Sequence, residues 1–169
     1  MSQPRSTYQR LEKDRVTPLL REVVSEYPLR LRVNDHDLAT LVCSPHQLNF
    51  LVAGFFRLQG FINGLDELLS LGICSDFALA EVRIKGEVPE RLAPTLTSGC
   101  GTGISYNLPD QLTNAHNDFT QRFDSAVIFT LMRELNRRTE AYRSHGGIHS
   151  AALGDGEKLL LHAEDIGRH

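Results

Sequence analysis

Long apolar runs are missing from this chain of 169 residues. The densest, "LNFLVAGFF" from Leu48 to Phe56, falls well short of the roughly 18 residues that a membrane-spanning helix needs. The N-terminus, "MSQPRSTYQRLEKDRVTPL", has no apolar segment of the kind a secretory signal carries. Cysteine is scarce. The three at positions 43, 74 and 100 are odd in number and widely spaced, which does not resemble an oxidised disulfide scaffold. A reducing cytoplasm is the expected location, and a reactive thiol persists there as a thiol. Charge of one sign is also lacking. Eighteen Lys and Arg against 21 Asp and Glu leave −3, which speaks against a nucleic acid polymer or a membrane as partner. There is no internal repeat and no low-complexity tract.

What is present suits a globular fold: 41% hydrophobic and 23% charged residues, in a chain long enough for a substantial core. Residues 1–25 are polar and aperiodic and are expected to form a flexible N-terminal arm. Residues 26–169 are expected to form a single domain. "LRLRV", Leu29 to Val33, alternates as a half-buried strand does; "NDHD" supplies turn chemistry, and Leu38 to Cys43 returns as a second strand. Ser44, Pro45 and Gln47 match a helix start with a capping box, and Leu48, Leu51, Val52 and Phe55 mark its core face. Gly64 to Ile73 reads as a short helix and Glu81 to Lys85 as a strand, while 86–117 reads as loop. Asp124 caps a second long helix with Ile128, Leu131, Met132 and Leu135 as its buried stripe. Gly146 and Gly147 end that helical region. "IHSAAL" and "KLLLHA" read as strands joined at "GDG", and Glu164 with Asp165 reads as another helix start. Alternating strands and helices make the class α/β. The chain ends at His169, just past that apparent helix start, so the fold is expected to lack its C-terminal portion.

The chemistry concentrates in "TLTSGCGTGISYN", Thr95 to Asn107. Cys100 lies between Gly99 and Gly101, with Gly103 close behind. Small residues let backbone N–H groups converge on one point, and such a nest favours thiolate over thiol. It favours a negatively charged persulfide for the same reason, and the glycines leave room for a second thiol to approach. A tight turn with an incidental cysteine is the competing reading. Cys43 and Cys74 read as small core residues. His149 in "GGIHSAAL" is a cleft acid–base candidate or a strand-edge histidine. Asp165, Arg168 and His169 form either an anion or partner site or a solvated helix end. "HAE", His162 to Glu164, is half of a zinc deaminase pattern. The Pro-Cys-x-x-Cys half is absent, so one candidate ligand stands where a site needs at least three, and no metal ligand is assigned.

Three segments taken in order carry a resemblance: "SPHQLNFLVAGFFRLQGFI", "TSGCGTG", and "GGIHSAAL" followed by "EDIGRH". Together they resemble the formate dehydrogenase accessory sulfurtransferases, the FdhD family, over roughly Leu29 to His169. The resemblance implies a cytidine deaminase-like three-layer α/β fold in a cytoplasmic protein. It implies a sulfurtransferase that takes persulfide sulfur from a cysteine desulfurase. The acceptor would be the molybdenum or tungsten bis-molybdopterin guanine dinucleotide cofactor of formate dehydrogenase, bound transiently and not as a resident group. The family's first loop cysteine falls on Cys100, which becomes the implied persulfide carrier. Its loop is usually Cys-Gly-x-Cys-Gly, and Gly103 stands here in place of the second cysteine, which puts a two-thiol relay in doubt. His149, Asp165, Arg168 and His169 fall in the later motifs and are implied as a cofactor or partner pocket. A homodimer is also allowed. The competing classes are a non-catalytic adaptor for the cofactor or for formate dehydrogenase, and a zinc-dependent deaminase.

Overall fold

Alternation decides the strand at Tyr27–Val33: in "LRLRV" the leucines and valine are fully buried while Arg30 and Arg32 face water. The computed structural model describes residues 5–88, 95–96 and 122–168. In chain order the elements begin with β1 (Arg5–Glu12), β2 (Arg15–Glu22), β3 (Tyr27–Val33), β4 (His36–Cys43) and α1 (Leu48–Leu58). A 3-10 turn, Leu65–Glu67, leads into β5 (Leu68–Cys74), β6 (Leu79–Ile84) and the short β7 (Thr95–Leu96). Then come α2 (Ser125–Arg138), α3 (Glu140–His145), β8 (His149–Gly154) and β9 (Leu159–Asp165). The chain is mixed α/β. It divides into two units, one of residues 26–119 with 167–169, the other of 1–25 with 120–166. Residues 26–169 contribute to both units, with α2, α3, β8 and β9 falling in the unit that also holds β1 and β2.

The first unit is built on a five-stranded sheet in the order β5-β6-β3-β4-β7. β3 runs antiparallel to β4 and parallel to β6, and β5 runs antiparallel to β6. One face is dry. Leu29, Leu31, Val33, Leu41, Ala80, Val82 and Ile84 meet Val52, Phe55 and Phe56 of α1 in a single core. Burying each such aliphatic or aromatic side chain stabilises the fold by about 1.5–3 kcal/mol.

The β3–β4 turn shows why "NDHD" is there. Asn34 and Asp35 both have positive φ, 45° and 69°, between the paired residues Val33 and His36, the geometry of a two-residue hairpin turn. Asn34 also ties in β6. Its side-chain amide donates to the Ile84 and Gly86 carbonyls at 3.3 and 3.1 Å, and its oxygen accepts the Ile84 N–H at 3.0 Å. Asn34→Ala removes these bonds and leaves a side chain that tolerates positive φ poorly, so a stability loss of about 2–3 kcal/mol is expected. Urea unfolding measures it; a loss below about 0.5 kcal/mol would contradict this account of the turn.

Helix α1 starts later than its sequence suggests. Ser44 is buried, and Gln47 is the N-cap residue with φ 52° and no side-chain cap bond, so the capping box does not form. The far end is closed more fully. Gly60, at φ 78°, lets the Phe61 N–H reach the Phe56 carbonyl at 2.9 Å and its own N–H reach the Arg57 carbonyl at 3.3 Å. The rings of Phe56 and Phe61 then meet at 5.3 Å, the apolar contact that accompanies such a Schellman ending. Residues 64–73 are not a helix. After the 3-10 turn, "LLSLGIC" pairs along β6, since the edge of that strand offers a full ladder that a short isolated helix cannot match.

In the second unit, residues 1–25, expected as an arm, contain the β1–β2 hairpin. Its register runs from Arg5↔Glu22 to Glu12↔Arg15. Every β1 residue is exposed, so the hairpin rests on its backbone ladder and on pairs such as Leu11↔Val16, and polarity hides it from a reading based on burial. Asp124 does cap α2, accepting the Ala126 N–H at 2.7 Å. The expected stripe is only partly covered: Leu131 and Leu135 are half-buried, but Ile128 and Met132 stay 51% and 56% exposed. Glu134 pairs with Arg138, as the spacing predicts. β8 and β9 form an antiparallel hairpin, and Glu164 and Asp165 end β9 instead of opening a helix.

Candidate functional site

Helices α2 and α3 and the start of β8 enclose an open groove of about 600 Å³. Its apolar part comes from Phe129, Met132, Leu135 and Ile148, and its polar part includes Arg133, His149 and Ser150. Tyr142 of α3 adds a second aromatic wall. Apolar lining with a few convergent polar groups is the usual make-up of a site for a small molecule or a partner side chain.

The hairpin register brings two of the predicted residues together. His149 and Asp165 are cross-strand partners, which places them on one face of β8–β9. The next pair, Ser150 and Glu164, makes a side-chain bond at 3.5 Å. Arg168 is exposed beyond β9 and belongs to the other unit. Cys100, Gly99, Gly101, Gly103 and His169 lie outside the described residues. Cys43 is fully buried on β4 and its thiol donates to the Tyr27 carbonyl at 3.5 Å, which fits its core reading; Cys74 is half-buried at the end of β5.

Glu164 was the residue the zinc deaminase pattern would use to shuttle protons. Its carboxylate instead accepts the Tyr142 and Ala141 backbone N–H groups at 3.2 and 3.4 Å. Among the described residues no three His, Cys, Asp or Glu side chains cluster as a metal site. The sequence reading missed Phe129, Tyr142, Ser150 and this use of Glu164. Only Ser150 had a local signal, beside His149 in "GGIHSAAL".

The "GDG" turn that joins the hairpin is set by Asp155. Its Oδ1 accepts the Lys158 and Glu157 N–H groups, both at 2.9 Å, and these bonds hold the carboxyl below its ordinary value. A carboxyl more acidic when folded than when unfolded stabilises the turn above the unfolded value, about pH 4. That contribution disappears as pH falls through the lowered folded value. The Asp155 carboxyl, followed by NMR, is expected to titrate below ordinary aspartates, and Asp155→Asn should remove the acid sensitivity of the β8–β9 amides. A midpoint at or above the ordinary aspartate value would overturn this.

Comparison with known proteins supplies the family. The family model described as FdhD/NarQ family matches residues 24–169. The chain belongs to the FdhD/NarQ family. Two sulfur carrier proteins FdhD, from Staphylococcus aureus strains MRSA252 and JH9, are each 31% identical to it over 153 residues, 88% of this chain. The chain spans 58% of the length of these FdhD relatives. A crystal structure of a candidate formate dehydrogenase accessory protein from Desulfotalea psychrophila matches with a TM-score of 0.69 and 18% identity. That match covers 98% of this FdhD/NarQ chain and 62% of the other, and at such identity the likeness is one of fold. No helix among the described residues is long and apolar enough to cross a membrane.

Proposed function

We propose that the chain is a sulfurtransferase whose Cys100 carries sulfur as a persulfide. The observation that carries this is the family match over residues 24–169; within that span "TSGCGTG" resembles the family's reactive-cysteine loop, which is the ground for choosing Cys100. The sulfur carrier name of the Staphylococcus aureus relatives supports the same reading.

In the first step the Cys100 thiolate attacks the outer sulfur of a persulfide on a cysteine desulfurase. The donor S–S bond breaks, the desulfurase cysteine leaves as thiolate, and a new S–S bond forms on Cys100 without net oxidation. Gly99, Gly101 and Gly103 are assigned to shaping this thiol site on sequence grounds alone, since residues without side chains leave access and free backbone N–H groups for the anionic forms. In the second step the outer sulfur passes to the metal of a bis-molybdopterin guanine dinucleotide cofactor, which is the substrate. The reduced molybdenum or tungsten supplies the two electrons that make it a sulfido ligand, and Cys100 leaves as thiolate. Formate dehydrogenase is the enzyme that receives the sulfurated cofactor. The acceptor or its protein carrier enters at the groove of α2, α3 and β8, which His149 lines and whose hairpin pairs it with Asp165; Arg168 and His169, in the other unit, are separate candidate groups for phosphate or carboxylate.

With Gly103 at the second cysteine position, one thiol performs the relay. The fold is inferred to be cytidine deaminase-like, the chain to act in the cytoplasm, and a homodimer to be its working form, to be read by sedimentation. The second reading is a non-catalytic adaptor for cofactor or dehydrogenase; Gly103 favours it, because a relay partner is absent from the loop. Loading of sulfur onto Cys100 by a desulfurase, read by mass, separates the two.

A further inference from the structure

Helix α3 begins without a cap of its own. Thr139 is its N-cap residue, yet that hydroxyl donates to the Asn136 carbonyl at 3.1 Å and makes no cap bond. Thr139 also sits at the break between α2 and α3, with φ −80° and ψ 78°, and is buried. The first N–H groups of a helix have no partner within the helix, so something else must accept them. Glu164 does so from a strand 22 residues away in sequence: its Oε1 takes Tyr142 N–H at 3.2 Å and its Oε2 takes Ala141 N–H at 3.4 Å. The same Oε1 accepts the Ser150 hydroxyl at 3.5 Å.

We infer that Glu164 is a positioning residue for the groove, holding α3 against β8–β9 and so fixing Tyr142 opposite Ser150 and its neighbour His149. Two of the elements it joins line the groove, α3 through Tyr142 and β8 through His149 and Ser150, and the β9 carboxylate ties them from behind that lining. A negative charge at the start of α3 is favoured by the helix dipole as well as by the two bonds. This rests on the groove being the receiving site proposed above, but its contacts are measurable without any sulfur chemistry.

The test compares the full chain with Glu164→Ala and Glu164→Gln, and uses 8-anilinonaphthalene-1-sulfonate, an anionic aromatic probe suited to an apolar groove beside Arg133. NMR follows the probe at the His149 and Tyr142 amides, and hydrogen exchange is read at Ala141 and Tyr142. In Glu164→Ala, exchange at those two amides is expected to speed up about tenfold and probe affinity to fall at least fivefold, with overall melting little changed. Glu164→Gln keeps an oxygen acceptor and should recover part of both, and it carries the test if the alanine variant does not fold. Unchanged exchange overturns the inference. So does faster exchange with unchanged probe affinity, which would make Glu164 a cap only. Sulfur loading of Cys100 is scored separately, so a chain that takes up no sulfur refutes the proposed function while these two readouts still judge Glu164.

Discussion

Cys100→Ala is expected to abolish activation of formate dehydrogenase, down to the level of cells that lack any accessory protein. An effect that large follows from the proposed carrier role of Cys100, because that step would have no substitute. A persulfide needs a thiolate that attacks and later leaves, and neither alanine nor a serine hydroxyl does both. Cys43 cannot take over, since it is fully buried and held on the Tyr27 carbonyl. Cys74 is half-buried on a strand and has no glycine on both sides to expose it. The measurement is dehydrogenase activity in a strain complemented with each variant, with thermal melting as the control for folding. Near-normal activation by a folded Cys100→Ala protein would point to the adaptor.

Phe56→Ala is expected to cost about 3–5 kcal/mol, a large share of the 5–15 kcal/mol that typically holds a domain together. Phe56 is fully buried, its ring 6.0 Å from Phe55 edge-on and 5.3 Å from Phe61. Truncation opens a cavity in the core and also removes the apolar contact that closes the Schellman ending at Gly60. Phe50, on the same helix but 78% exposed, is the comparison, and Phe50→Ala should stay within about 0.5 kcal/mol. Urea midpoints decide. A Phe56→Ala loss below about 1 kcal/mol would mean that the core is not organised on this ring.

Both variants probe features that differ in how far the sequence exposed them. Strand β3 was legible because a sheet with one dry face writes its burial as strict alternation, and "LRLRV" does so in five residues. The β3–β4 turn was legible for the same local reason. β5 was not, because "LLSLGIC" places leucines at spacings that suit a helix as well as a strand, and only the edge of β6 settles the choice. For α2 the periodicity identified the apolar face but not whether anything covers it, and Ile128 and Met132 remain exposed. Glu164 shows the deeper limit. An acidic residue before "DIGRH" looked like the start of the next helix, and it does serve a helix start, but that of α3, reached through the fold and not along the chain. In the candidate site, His149 and Asp165 were found separately by motif; their shared face follows from a register that neither motif states.

Cys100 is proposed to receive sulfur as a single thiol. The most direct test of this is the intact mass of the chain after incubation with a cysteine desulfurase and free cysteine, with peptide mapping and single substitution of each cysteine. A gain of one sulfur atom, reversed by dithiothreitol and confined to Cys100, is the predicted result. No gain, or sulfur spread over Cys43, Cys74 and Cys100 alike, would contradict it.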